Sequence, residues 1–416
     1  MRIAIVGSGV SGLVCAHLLH TRHDVVLYEA DGRPGGHSHT HRVELPEGTF
    51  DVDTGFLVYN ERTYPLFCHL LDRLGVATQA SDMSFGMSDE RTGLEWRGTS
   101  PSTVFAQRRN LARPEFLRML ADVGRFNRLA VGLLEEPPPD EVTLEEVLSS
   151  RRWSEGFREW YLIPLGSSIW SARPRTFTQI PAATFARFFE RHGLLRLRDQ
   201  PRWRTVTGGS SRYVEAILAP LRAEGRLRLG ARVDKIRREP GEVEVVGPAG
   251  VESYDHVIIA THSDQALSLL SDPDRAEQAI LGAIGYQQNR ATLHTDARLL
   301  PRNRRAWASW NYHRLEADTD QTTLTYNLNR LQGIPSSTPV LVTLNRDDAI
   351  DPEQVLARMD YAHPVLDPVA VGAQQRHAEI SGVRRTWFCG AYWGYGFHED
   401  GVASAVKTCR ALGVAL

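Results

Sequence analysis

The chain has 416 residues, of which 42% are apolar and 24% charged, and a formal net charge of −2. That length exceeds what a single hydrophobic core supports, so two domains are expected. The composition is that of an ordinary globular protein, and the near-zero charge excludes a general electrostatic preference for nucleic acid or anionic membrane. Basic residues are almost all arginine, with Lys235 and Lys407 the only lysines. Cys15, Cys68, Cys389 and Cys409 show no CxxC spacing, so neither a zinc site nor a redox dithiol is signalled. Few, scattered cysteines suit a reducing cytosol, and a cytoplasmic location is the expectation. No run approaches ~18 uninterrupted apolar residues, so no transmembrane helix is expected, and the apolar start reads as a buried strand and not as a signal segment.

Residues 2–6 form a continuous β-branched run, the pattern of a parallel strand buried on both faces. A glycine-rich turn over 7–12 follows, then a helix-like stretch from Leu13 to Leu19 and a second apolar run from Val25 to Tyr28, which together predict one βαβ unit. Residues 31–60 read as loop and 63–74 as helix. Pro114 to Leu134 has helical apolar spacing and is broken at Pro137, Pro138 and Pro139. Thr143 with Glu146 reads as a capping box that opens a further helix, and 153–192 continue in helical, aromatic character. Strands are expected at Arg226–Leu229, Ala231–Arg237, Glu242–Val246 and His256–Ala260, then at 291–296, 322–329 and 340–345. The C-terminal stretch reads as a strand running into Gly390 and a helix from about Val402.

Gly7, Ser8, Gly9, Val10, Ser11 and Gly12 form a GxGxxG that leaves a strand and opens a helix. Gly7 allows the turn, Gly9 lets the backbone approach a pyrophosphate, and Gly12 lets the helix pack on the strand. The pyrophosphate then meets free N–H groups and the positive end of the helix dipole. Glu29, followed by Ala30, ends the next strand 17 residues after Gly12, where a carboxylate can accept hydrogen bonds from adenosine ribose hydroxyls and disfavours a 2′-phosphate.

Three more segments extend this signal: Arg33-Pro-Gly35-Gly36-His37; Asp53-Thr54-Gly55-Phe56; and Gly390-Ala391 leading through Tyr392, Trp393 and Tyr395 to His398, Asp400, Gly401 and Val402. Together they resemble the flavin-containing amine oxidase and phytoene desaturase superfamily. The resemblance implies an α/β fold, with a Rossmann-like FAD-binding domain of the p-hydroxybenzoate hydroxylase type and a second α+β substrate domain. The expected division is 1–85, 205–288 and 375–416 for the first and 86–204 and 289–374 for the second. It implies non-covalent FAD held by Gly7 to Gly12, Glu29, Ala30, Arg33, Gly35, Gly36, His37, Asp53 to Phe56, Val233 beside the adenine, Ala260, Gly390, Ala391, Asp400, Gly401 and Val402. Gly401 and Val402 would open the last helix, with its N–H groups on the flavin pyrimidine edge. Two positions depart from the family pattern. Ala391 stands where an acidic residue is common, and neither lysine is placed as the lysine near flavin N5 in amine oxidases is.

Gly55 to Asn60, Asn329 to Gln332, His363-Pro364 and Gly396 to Gly401 narrow the resemblance to a bacterial branch associated with cyclopropane-fatty-acid synthases. This implies FAD-dependent oxidation or desaturation of an apolar acyl chain, with hydride passing to flavin N5. The alternatives are a flavin amine oxidase and a non-catalytic flavin-binding partner of a lipid methyltransferase.

His398, beside the C-terminal flavin loop, is the candidate catalytic residue; a histidine there acts as a base or packs on the ring. His37, His39 and His41 alternate as on one strand face, but no carboxylate or cysteine completes a set, and no metal is expected. Trp393 and Tyr395, with Trp307 and Trp310, are candidates for an apolar substrate pocket. Arg187, Arg191, Arg196, Arg198, Arg202 and Arg204, interleaved with Phe188, Phe189 and Trp203, read as a solvated face, with peripheral contact on anionic lipid as the alternative.

Overall fold

Arg2–Val6 is the middle strand of a five-stranded sheet in the order Leu227–Arg228, Asp24–Tyr28, Arg2–Val6, His256–Ile259, Thr386–Phe388. Every neighbouring pair in it is parallel. Successive side chains point to opposite faces of a strand, and the two faces are buried differently. Ile3, Ile5, Val25 and Leu27 pack on the helices Val10–Leu19, Ser211–Ala223 and His398–Ala411 through Leu13, Ile217, Leu218, Val402 and Ala405. Ala4, Val6, Val26 and Tyr28 face a three-stranded antiparallel layer, Lys235–Glu239, Glu242–Gly247 and Gly250–Tyr254, through Ile236, Val243, Val245 and Tyr254. Ile3 and Ile5 are fully buried, each contributing roughly 1.5–3 kcal/mol. The computed structural model describes residues 1–196, 200–317 and 319–416.

A second sheet of seven strands runs in the order Val355–Pro364, Tyr286–His294, Leu341–Leu344, Leu324–Asn327, Trp310–Arg314, Phe85–Asp89, Leu94–Arg97. Only Trp310–Arg314 against Phe85–Asp89 is parallel. Beside it stands a helical region that includes Pro114–Glu135, Ile163–Trp170 and Ala182–Arg191, closed around Phe126, Phe157, Phe185, Phe188 and Phe189. The expected capping box forms: Thr143 Oγ1 accepts the Glu146 N–H at 3.2 Å, and the Glu146 carboxylate accepts the Thr143 N–H at 2.7 Å. No helix among the described residues is long and apolar enough to cross a membrane.

Several expectations are corrected. The loop read over 31–60 contains the hairpin Thr40–Leu45/Gly48–Asp53, whose polar, alternating sequence hid it. The strand expected from Ala231 begins at Lys235. The last helix starts at His398 and not near Val402, because the Asp400 carboxylate caps it by accepting the Phe397 N–H at 2.9 Å. In the arginine-rich stretch Phe188 and Phe189 point inward, 2% and 1% exposed, while Arg187 pairs with Asp140, Arg196 with Glu190 and Arg204 with Glu61. That is the pattern of a solvated face; Arg198 lies outside the described residues.

Candidate cofactor site and active cavity

The glycine-rich turn has the geometry its sequence demands. Gly7 has φ +99°, and a Cβ there would lie 2.9 Å from the Ala260 carbonyl oxygen. A Cβ on Gly12 would lie 1.9 Å from the Gly7 oxygen, so only glycine lets the helix sit this close. Gly9 differs from both. Its backbone is ordinary (φ −63°, ψ 175°), and an added Cβ would meet no protein atom within 4 Å. The loop therefore borders open space at the point where the backbone should approach a pyrophosphate. No side chain caps the helix Val10–Leu19, which leaves first-turn N–H groups for an anion.

Glu29 ends its strand facing this loop, and its carboxylate accepts the Ser8 N–H at 3.0 Å, the Ser8 hydroxyl, and the Asp31 N–H at 3.0 Å. Ser8 Oγ in turn accepts the Gly35 N–H at 3.1 Å. Gly36, with φ +57°, lies so close to Gly9 that a Cβ would come within 3.2 Å of the Gly9 Cα. Arg33 braces the same loop by donating to the Pro34 and Ser38 carbonyls at 3.2 and 3.4 Å. Ala30 is exposed. Val233 is 5% exposed, and among the described residues no protein group meets its main-chain N–H or C=O. A buried main chain without partners fits a site for the adenine edge. These residues fit FAD along the adenosine and pyrophosphate half.

Asp53 is fully engaged by the protein. Its oxygens accept the Ser210 N–H at 2.9 and 3.0 Å, the Ser210 hydroxyl at 2.7 Å, the Thr40 hydroxyl at 2.6 Å and the Gln332 amide at 3.2 Å. Burial raises its pKa to about 6 against the pull of these donors. Asp53 thus reaches a cofactor only through the Gly208–Ser210 turn and the hairpin it holds. Thr54 Oγ1 lies 2.8 Å from the Tyr361 hydroxyl, and the Phe56 N–H donates to the His37 carbonyl at 2.8 Å. Gly55 passes so close to His37 that a Cβ would lie 2.3 Å from its oxygen.

The C-terminal loop closes on the same place. The Gly390 N–H donates to Ser404 Oγ at 3.1 Å, and Ala391 Cβ lies near Gly401. Gly401 lets the last helix cross the first: its carbonyl accepts the Ser11 hydroxyl at 3.0 Å, and a Cβ would lie 2.6 Å from Val10. Gly401 and Val402 stand inside the helix, so the first-turn N–H groups belong to His398, Glu399 and Asp400. Asp400 is a cap, and burial raises its pKa to about 6. Glu399 accepts the Leu66 and Phe67 N–H groups, both at 3.0 Å, tying the last helix to Pro65–Leu74.

His398 is packed and not presented. Its ring stacks on Phe56 at 3.5 Å and 12°, and Nε2 lies 3.1 Å from both Ser38 Oγ and Tyr213 OH. Burial pushes its pKa down to about 3. Of the two roles open to it from sequence, base or packing, a neutral imidazole held in this way suits the packing one.

His37, His262 and His363 instead gather into one cluster. His37 lies 4.9 Å from Tyr361, 5.4 Å from His363 and 6.3 Å from His262, ring to ring. Tyr286 stacks on His262 at 4.5 Å. Burial, with the neighbouring histidines adding to it, holds His37 well below the usual range and His363 down to about 4. Both lie deep in the protein yet keep part of their surface free. His39 packs its ring on His41 at 4.0 Å, and its Nδ1 lies 3.2 Å from the Tyr361 hydroxyl. Sequence reading gave no site role to His262, Tyr286, Tyr361 or His363. His363-Pro364 stood out only as a motif, and pairing it with His37 requires the sheet.

The four aromatic pocket candidates fall in two places. Trp393 and Tyr395 line a cavity of about 280 Å³ with Thr184, Arg187, Leu366 and Gln374. Trp307 donates its indole N–H to the Pro301 carbonyl at 2.7 Å under the Arg304 guanidinium, and Trp310 packs edge-on to Tyr326 within the seven-stranded sheet. The structure does not bring Trp307 and Trp310 to the other two.

A Rossmann-like sheet with this turn, a second mixed sheet and a C-terminal helix returning to the first defines an FAD-binding oxidoreductase of the amine oxidase type. The family model for flavin containing amine oxidoreductase matches residues 10–361, and the chain belongs to that family. Its fold is similar to cyclohexylamine oxidase from Brevibacterium oxydans (17% identity, 99% of this chain and 98% of that one, TM-score 0.71). It is likewise similar to a CLA-producing fatty acid isomerase from P. acnes (17% identity, 98% of each chain, TM-score 0.68). A stretch of 101 residues is 35% identical to tryptophan 2-monooxygenase from Allorhizobium ampelinum, covering 24% of this chain and 13% of that protein. The protein is an FAD-dependent oxidoreductase.

Two expected results follow from the site. Cys15, Cys389 and Cys409 are fully buried in the core formed by the sheet and helices, and Cys68 lies on the helix Pro65–Leu74. None is among the cluster residues named above, so acid precipitation should release all the flavin; flavin retained in the pellet would point to a covalent link. Glu29→Ala removes a ribose acceptor and the anchor of Ser8. FAD affinity should fall by about 1–3 kcal/mol, read by flavin fluorescence titration; unchanged affinity would remove Glu29 from the site.

Proposed function

We propose that the protein oxidises or desaturates an apolar, lipid-like substrate, a long acyl chain free or in a phospholipid. The observation that carries this reading is the uncharged character of the ring cluster beside the glycine loop: His37, His262 and His363 are held toward the neutral form by burial, and Tyr286 and Tyr361 pack against them. Lys235 and Lys407 are both exposed, and Lys407 Nζ lies 3.2 Å from His377 Nδ1. Bound FAD supplies the hydride acceptor, and the chain's own part is to bind, orient and exclude water. An acyl chain gains roughly 0.8 kcal/mol per buried CH₂, so such a cluster can hold it without charged contacts. The fold likeness to a fatty acid isomerase supports the same substrate class. A cytoplasmic enzyme working beside a lipid methyltransferase of the cyclopropane-fatty-acid synthase kind is the corresponding setting. Organic extraction of the purified protein followed by mass spectrometry should recover an acyl lipid; recovery of amines alone would contradict the reading.

Amine oxidation is the second reading, favoured by the likeness to cyclohexylamine oxidase and to putrescine oxidase at TM-score 0.70. Amine-dependent peroxide production would establish it. Tight binding to a lipid methyltransferase, with no lipid or amine reducing the flavin, would instead mark a non-catalytic flavin-binding partner.

A further inference from the structure

Behind His363 lies a buried amide network whose hydrogen-bond directions are fixed by the main chain. Gln287 Oε1 accepts the Arg173 N–H at 2.7 Å, and its amide nitrogen donates to the Ser171 carbonyl at 2.8 Å. Asn345 Oδ1 accepts the Arg290 N–H at 2.9 Å, and its nitrogen donates to the Thr322 carbonyl at 2.9 Å. Both amides then donate to Asn289 Oδ1, at 3.2 and 2.8 Å. The Asn289 nitrogen donates to the Ser171 carbonyl at 3.1 Å, so its remaining hydrogen faces His363 Nδ1 at 3.0 Å. Each orientation is set by a backbone donor or acceptor, so none can flip without leaving buried groups unpaired.

The consequence for His363 is definite. Nδ1 faces a donor and must be an unprotonated acceptor, so the neutral ring carries its hydrogen on Nε2. Charging the ring would put an Nδ1–H against an amide N–H. Nε2 meets no protein partner among the described residues, and the ring keeps free surface although it lies deep. The ring stands 5.4 Å from that of His37, which directly follows Gly36, the glycine against the dinucleotide loop.

We propose that His363 is a cofactor-positioning residue, a permanently neutral hydrogen-bond donor whose Nε2–H serves an acceptor atom of bound FAD. It is therefore not a general base, since its one free nitrogen already holds a hydrogen. The inference rests on the flavin site and not on the lipid reading. The groups facing it are His37 from the glycine loop, His262 from the loop after His256–Ile259, Tyr286 from its neighbouring strand and Tyr361 from its own, with Arg33 beyond His37.

The test measures FAD affinity, flavin reduction potential and the flavin absorption spectrum in substrate-free holoenzyme. His363→Leu should weaken FAD binding by roughly tenfold or shift the potential, and His363→Gln, which keeps an N–H donor, should restore most of the wild-type value. If His363→Leu matches wild type in affinity, potential and spectrum, the proposal is overturned. Should His363→Leu fail to fold, ¹⁵N NMR of the wild-type histidine ring decides. A proton on Nε2 with no titration from pH 5 to 9 is the expected result, and a proton on Nδ1 or titration in that range overturns it.

Discussion

Gly9→Val should leave the apoprotein folded and remove FAD binding. Gly9 has an extended backbone that any residue can adopt, and its Cβ position is open within the protein. A side chain there costs the fold little and fills the space through which the loop approaches a pyrophosphate. The affinity should drop roughly 100-fold or more, about 2.7 kcal/mol, with the apoprotein's denaturation midpoint within error of wild type. Gly12→Ala is the contrasting control, because its Cβ would lie 1.9 Å from the Gly7 oxygen and should destabilise the fold itself. Normal FAD titration by Gly9→Val would show that the open space is not the cofactor's.

The second large effect is acid lability. His17, His39, His192, His294, His313, His363 and His398 are all held by burial at about 3 to 4, against 6.5 in the unfolded chain. A folded pKa below the unfolded one means that the unfolded chain takes up protons first. This stability is therefore complete above pH 6.5 and lost as pH falls toward 4. Asp53 and Asp400, raised to about 6, work in the opposite sense below pH 6, but the histidines outnumber them. Water screens the partly exposed His17 and His39, so the deeper histidines dominate, and the net loss should be on the order of several kcal/mol between pH 6.5 and 5. Chemical denaturation at pH 7.5 and 5.0 checks it; an equal or higher midpoint at pH 5.0 would contradict it.

The nucleotide-binding half was legible because local sequence determines it. A β-branched run, a spaced set of glycines and an acidic strand end act within 30 residues of one another. The capping box at Thr143 and Glu146 is similarly local. The hairpin Thr40–Asp53 escaped because its apolar face is only Val43, Leu45, Phe50 and Val52, set among polar residues, and Val355–Pro364 because it is a half-exposed edge strand of mixed composition. The start of the last helix was misplaced because Gly401 reads as a break, although Asp400, three residues after Phe397, carries the capping signal. The histidine and tyrosine cluster lay further out of reach. Asp53 meets Ser210 across 157 positions and His363 meets Asn289 across 74, contacts made by sheet pairing and invisible to local pattern. His398 shows the same limit from the other side: its place beside a flavin motif suggested chemistry, while Phe56, Ser38 and Tyr213 use its ring.

Anaerobic mixing of the holoenzyme with candidate substrates tests most directly whether the neutral histidine and tyrosine cluster beside the glycine loop serves an acyl chain. Unsaturated or methyl-branched fatty acids or phospholipids should bleach the flavin absorption, and the recovered lipid should be lighter by two mass units, because desaturation removes two hydrogens. Bleaching by primary amines or polyamines, with none by any lipid, would contradict the claim and establish the amine oxidase reading in its place.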